Sequence, residues 1–252
     1  MANMNDFFSS TNTVRNVTKD EKAQIIDYVD VVKAFANTTY NSIYIIDYEK
    51  KGFDYVSDNP LFLCGHTADE VKELGYAFYF QHVVPQDLDL LIKINTIGFD
   101  FYEQIPVSER KEYTISYDFH IKNQEGKAIL INQKLTPMFL TNDGKIWKAL
   151  CIVSLSSEKE AGHIKIYREG SYQIHTYDLT GNFWKLDEKA ILSERESEIL
   201  QLSTRGYTIK EIAEAMFISE DTVKFHKRNL CQKLDVSNIS EAIVFATNNK
   251  LV

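Results

Sequence analysis

The residues of this 252-residue chain best placed for chemistry lie between Ser219 and Leu234. At a helical spacing of about 100° per residue, Val223, Leu230 and Leu234 share one face, which reads as buried. Asp221, Phe225, Arg228 and Gln232 then point the other way, with Lys224 on the flank. From Lys224 to Leu234 there are four basic residues and no acidic one. A helix that is apolar on one side and basic plus aromatic on the other suits a DNA groove, where cations meet phosphates and base edges. Cations on a helix exterior also occur as a plain solvated face. The elements around the helix decide between the two readings.

Those elements are legible. Ser193 with Glu196 forms a capping box that starts a helix, and Gly206 stops it after about Arg205. Thr208 with Glu211 starts a second helix, whose Ile209, Ile212, Ala213 and Met216 fall at i, i+3, i+4 and i+7, a buried stripe. Phe217-Ile218 turns the chain and Ser219 caps the third helix. A fourth, from about Asn238, buries Ile239, Ala242, Ile243 and Ala246. Four short helices with a tight turn between the second and third suit a helix-turn-helix.

The residues Leu192-Ser193-Glu194-Arg195-Glu196, Gly206, Lys210-Glu211-Ile212-Ala213, Ile218-Ser219, Thr222-Val223-Lys224, His226 and Lys233-Leu234 fill nearly all the expected positions of one known module. The segment resembles the LuxR/FixJ-type DNA-binding domain. The resemblance implies that Lys224, Phe225 and Arg228 reach base edges: cations donate to guanine O6 and N7, and an apolar ring touches a thymine methyl. It implies that Thr208, Lys210, Thr222 and Lys227 hold phosphates, which set register. It also implies that the last helix mediates dimerisation. His226 reads as a packing residue beside the phosphate backbone. For Phe225 the competing reading is packing against the other domain in a closed state. Two positions depart from the pattern. Asp235 stands where the family usually has Gly, and Asp tolerates the left-handed region better than most residues. Ile239 stands where the family often has Arg.

The rest of the chain is of a different class. Residues 1–18 are polar and read as a loosely ordered N-terminus. Thr18 with Glu21 reads as a capping box on a helix running to Ala36, with Ile25, Ile26, Val29 and Val32 as its stripe. From Asn41, SIYIIDY and FDYV read as two short strands. Several short helices follow, including one from Thr67 to Leu74. Three longer strands follow at Tyr113–Ile121, Ala128–Leu135 and Ile146–Ser154, with Glu125-Gly126 and Asp143-Gly144 as turns. The expected fold class is therefore α+β: an antiparallel sheet with flanking helices, then a small all-α four-helix helix-turn-helix domain. The pieces Tyr55-Val56-Ser57-Asp58-Asn59, Leu63-Cys64-Gly65-His66-Thr67, Asp69-Glu70-Val71, Pro85-Gln86-Asp87 and the two turns make residues 41–156 resemble a PAS domain. The expected division is 1–18, a PAS-like sensor or dimerisation domain with its leading helix over 19–156, a β-rich connector over 157–190, and the DNA-binding domain over 191–252.

Charge and composition bound the function. The net charge of −8 opposes phosphate binding, but it is unevenly spread. From Leu192 onward eight Lys or Arg face nine Asp or Glu, against 20 and 27 in the remainder. A basic stripe counts for more than total charge. Modest affinity per subunit makes a homodimer on two half-sites the expected arrangement. The three cysteines, Cys64, Cys151 and Cys231, form no CxxC pair and suit reduced thiols in a cytoplasm. No signal peptide and no stretch of the ~20 apolar residues that spans a bilayer is visible, so no membrane association is expected. The six histidines show no HxxxH or HExxH spacing, so no metal is expected. His82 or His120 could hold haem in a PAS-like domain, and Cys64 or Cys151 could be redox-active. Ordinary core or surface roles are the simpler reading for all four. No cofactor is required by the sequence, none is identified, and no catalytic motif appears.

The function expected is a cytoplasmic transcription regulator that binds double-stranded DNA in the major groove. The PAS-like domain would sense a small molecule or set the dimer, with RNA polymerase as a further partner. The alternative is an interaction adaptor whose PAS-like domain docks a partner while DNA binding is constitutive.

Overall fold

The structure is a computed structural model that describes residues 3–8, 11–13, 18, 28–188, 190–248 and 251. It divides into two compact units, 1–187 and 188–252. In the first, helix α1 (Tyr28–Ala36) precedes strands β1 (Ser42–Asp47) and β2 (Gly52–Val56). A helical layer follows: α2 (Pro60–Leu63), α3 (Ala68–Leu74), α4 (Ala77–His82) and α5 (Pro85–Glu103). The expected meander then appears as β3 (Tyr113–Lys122), β4 (Ala128–Leu140) and β5 (Ile146–Leu155). Next come β6 (Gly162–Arg168), β7 (Gln173–Asp178) and β8 (Phe183–Glu188).

All eight strands form one sheet in the order β2-β1-β5-β4-β3-β6-β7-β8. The first five have the α+β architecture expected of a PAS-like domain. Segment 157–190, read from sequence as a connector, carries β6 to β8, and β6 pairs antiparallel with β3. It therefore continues the sheet past the meander. The long α5 was not expected as one helix. Its buried Leu91, Ile94, Gly98, Phe99 and Tyr102 keep helical spacing across 19 residues. The capping box expected at Thr18 and Glu21, and the stripe residues Ile25 and Ile26, lie on or beside residues outside those described. The helix expected from Thr67 to Leu74 forms as α3, and a capping box of Thr67 with Glu70, not read from the sequence, starts it.

β1 shows why both sheet faces are covered. Every one of its residues is buried, rather than every second one. Tyr44 and Ile46 face the helical layer, where Phe53, Phe62, Phe78 and Tyr79 pack. Ile43 and Ile45 face the opposite side, where Val32 of α1 packs with Tyr28 and Ile152. From the polar N-terminal stretch, Phe7 is buried against the rings of Tyr76, Tyr79 and Phe80.

The outer face also buries charge. Lys148 of β5 lies opposite Asp47 of β1 and donates to the carboxylates of Asp47 and of Asp54 on β2. Tyr28 of α1 donates to Asp54 as well, which ties the leading helix to the sheet. Burial pushes the Asp54 carboxyl up, but its hydrogen bonds from Lys148, Lys50 and Tyr28 outweigh that and hold it down at about 2. Replacing Lys148 with Met leaves two buried carboxylates with only the exposed Lys50 as a cation. The expected cost is about 2–4 kcal/mol in denaturant unfolding at neutral pH, below that of a fully uncompensated buried charge because Lys50 remains. A depressed carboxyl stabilises above its unfolded pKa of about 3.9, and the contribution fades as pH falls through about 2. The deficit of Lys148→Met should therefore shrink over that window. A deficit independent of pH would contradict the pairing.

Candidate nucleic-acid interface

The second unit contains α6 (Glu194–Thr204), α7 (Ile209–Met216), α8 (Glu220–Lys233) and α9 (Ile239–Asn248). Both expected capping boxes form: Ser193 with Glu196 on α6, and Thr208 with Glu211 on α7. Ser219 accepts from the Thr222 N–H and caps α8. Ile199, Ile212, Ala213, Met216 and Val223 make one small core, and Leu200, Leu230, Leu234, Ala242 and Ala246 make another. α8 thus spans both cores with one face and leaves the other free. The turn before α8 needs a left-handed residue, and Phe217 supplies it at φ 55° with its ring 96% exposed. Asp235 also adopts the left-handed region, at φ 53°, where the module usually has Gly.

The orientation of α8 is fixed at its far end. Lys233 donates to Glu196 Oε2 at 2.6 Å and to the Ile191 carbonyl at 3.0 Å. The same Glu196 oxygen accepts from the Ser193 N–H at 2.7 Å. One buried carboxylate therefore starts α6 and anchors the last turn of α8. Sequence reasoning assigned Glu196 only to the cap, because its partner is 37 residues away.

The residues expected at bases stand on the free face. Phe225 is 53% exposed and Arg228 is exposed, with no acidic partner among the described residues. Lys224 is exposed and donates to Asp221 Oδ1 at 3.0 Å, a bond that raises its pKa. Of the residues expected at phosphates, Thr222 sits in the first turn of α8 with its hydroxyl 2.8 Å from that of Ser219. Thr208 is the N-cap of α7, and Lys210 in its first turn is exposed with Glu214 at 4.0 Å. Lys227 is half-buried, and burial lowers its pKa against the opposing influence of Cys231. The seven residues therefore occupy the surface of α8 and the start of α7. The first-turn N–H groups of these helices add positive potential for phosphates. His226 is half-buried with its ring against Phe225.

The other candidates take ordinary positions. His120 Nδ1 lies 2.9 Å from Asp87 Oδ2. Burial pushes the Cys64 thiol up to about 12 and raises that of Cys151. Neither thiol is therefore activated as a thiolate. Among the described residues, no group of three His, Cys, Asp or Glu is arranged to hold a metal, and no helix is long and apolar enough to cross a membrane.

Residues 190–246 match the family model of the bacterial regulatory proteins of the luxR family. The second unit is a luxR-family helix-turn-helix domain. Among curated relatives, the chain is 48% identical over 59 residues to the transcriptional regulatory protein DegU of Brevibacillus brevis, a match covering 23% of this chain and 25% of DegU. It is 27% identical over 237 residues to the transcriptional activator protein EchR of Dickeya chrysanthemi, covering 88% of this chain and 87% of EchR. The matches to the first such relatives span only 25% to 58% of those proteins' lengths. The solved VqmA dimer of Vibrio cholerae is 18% identical, covers 86% of each chain and has a TM-score of 0.33.

Replacing Glu196 with Ala removes the side-chain half of the capping box and the anchor of α8 together, with an expected cost of about 1–3 kcal/mol to this unit. Burial raises the Glu196 pKa, but the bonds from Lys233 and Ser193 win and lower it. Its contribution is thus complete above the ordinary Glu value of about 4.3 and is lost as pH falls through the lower folded value. Amide hydrogen exchange in α6 and α8 across pH 3 to 7 measures this. Unchanged protection in the variant would contradict the anchor.

Proposed function

We propose that this protein is a sequence-specific DNA-binding transcription regulator. α8 lies in the major groove and places Lys224, Phe225 and Arg228 at base edges. Thr208, Lys210, Thr222 and Lys227 fix the register on phosphates. The observation that carries the reading is the free face of α8: two cations and a half-exposed aromatic ring on a helix whose other face is locked into two cores. One such helix reads only a few base pairs, and the chain as a whole is acidic. Two copies on half-sites one helical turn apart answer both limits. Such a homodimer in the cytoplasm would act on RNA polymerase from its DNA site.

The PAS-like unit is proposed to sense a small molecule or to set the dimer, and so to control how the two recognition helices are presented. Its core supports the first role. Tyr44 and Tyr79 share a hydrogen bond of 2.6 Å in full burial. Gln133 donates to Tyr117 at 2.6 Å while its Oε1 has no partner among the described residues. A buried acceptor left unpaired costs about 1–3 kcal/mol, which a polar ligand would recover.

Two measurements test the reading. Lys224→Ala and Arg228→Ala should each weaken binding to a selected duplex by about 1–3 kcal/mol and relax specificity, whereas Lys227→Ala should weaken all sequences alike and lower the salt slope by about one. Equal effects on selected and random duplex would contradict the base-contact assignment. Native mass spectrometry of the full chain should show an extra mass that is lost on denaturation. A bare mass, with no change in DNA binding by added metabolite pools, would contradict the sensor role.

A further inference from the structure

In the helical layer of the first unit, two imidazoles meet head to head. His66, in the loop between α2 and α3, and His82, the last residue of α4, bring their Nε2 atoms to 2.9 Å. Both rings are half-buried, and their planes stand at 82°. Each is held from outside the pair. The ring of Phe78 packs against His82 with centroids 4.8 Å apart, and a backbone hydrogen bond at Lys122 steadies the same imidazole. His66 turns Nδ1 toward Glu70 Oε2 at 3.9 Å. That carboxylate is itself fixed, because it accepts from the Thr67 N–H in the capping box of α3.

We propose that His66 and His82 form a binding site for a divalent transition metal ion of borderline softness, such as Zn²⁺. At 2.9 Å the two Nε2 atoms share one proton in an N–H···N hydrogen bond, and moving that proton to Nδ1 frees both lone pairs for one cation. Imidazole nitrogens on tetrahedral zinc lie about 2.0–2.1 Å from the metal, which sets them roughly 3.3 Å apart. The pair reaches that span by opening a few tenths of an ångström. A carboxylate near the far nitrogen of a ligating histidine is the usual outer support of such sites, and Glu70 Oε2, 3.9 Å from His66 Nδ1, would supply it by closing about 1 Å. Ligation needs both rings neutral. Among the described residues no third side chain completes the site, so water fills the remaining positions. The bound ion would join the α2–α3 loop to the end of α4. This site is independent of the DNA-binding reading.

Chelator-treated full-length protein should be titrated with ZnCl2 by calorimetry, with the thermal midpoint followed in parallel. The expected result is one ion per chain and a raised midpoint. His82→Ala and His66→Gln should each weaken binding at least tenfold, while His163→Gln leaves it unchanged. His66 is the more tolerant position, so His66→Gln decides if His82→Ala does not fold. Absence of saturable binding, or equal affinity in wild type and His66→Gln, would overturn the proposal.

Discussion

The proposed recognition surface depends on where α8 is held, and one buried carboxylate ties that helix to α6. Glu196 accepts from the Ser193 N–H and from Lys233, so the start of α6 and the end of α8 share one anchor. Val223 and Leu230 then seat the inner face in two separate small cores. A domain of this size buries too little apolar surface to fix an orientation by area alone. Polar anchors at the helix ends supply the missing constraint. With α8 fixed in this way, the side chains of its outer face need no internal partners. Arg228 has no acidic partner among the described residues, and Lys224 has only the exposed Asp221.

The first unit applies the same device. Lys148 bridges Asp47 and Asp54 beneath α1, and Tyr28 joins the helix to that cluster. The cluster holds a short helix on a sheet face that would otherwise meet water. It also explains why β1, with both sides covered, is buried along its whole length. Charge is spent at the outer face. The inner face is built from rings, with Tyr44 stacked on Phe62 at 4.4 Å.

What could be read from the sequence was what is local. The caps at Ser193, Thr208 and Ser219 each involve residues within one turn, and all three form. The strands of the meander carry their turns beside them at Gly126 and Gly144. Asp235 was read through its own backbone preference, and its φ of 53° agrees. Four features escaped because their cause lies far along the chain. β6 joins β3 across the sheet, not its own neighbour β5. α5 is rich in residues that also suit strands, and only packing against the sheet makes it one helix. Lys233 finds Glu196 37 residues away, and His82 finds His66 16 away. The placement of the seven proposed DNA-contact residues on α8 and the start of α7 was expected from helical spacing and family resemblance together. Half-burial of Lys227 was not.

The most direct test of the central claim is selection of a randomised duplex library by the full-length protein, read by sequencing at physiological salt. The account predicts enrichment of a pseudo-palindromic motif whose half-sites lie about 10 base pairs apart, centre to centre. Recovery of sequences no different from the starting library would contradict it, because an α8 that only neutralises phosphates cannot choose among bases.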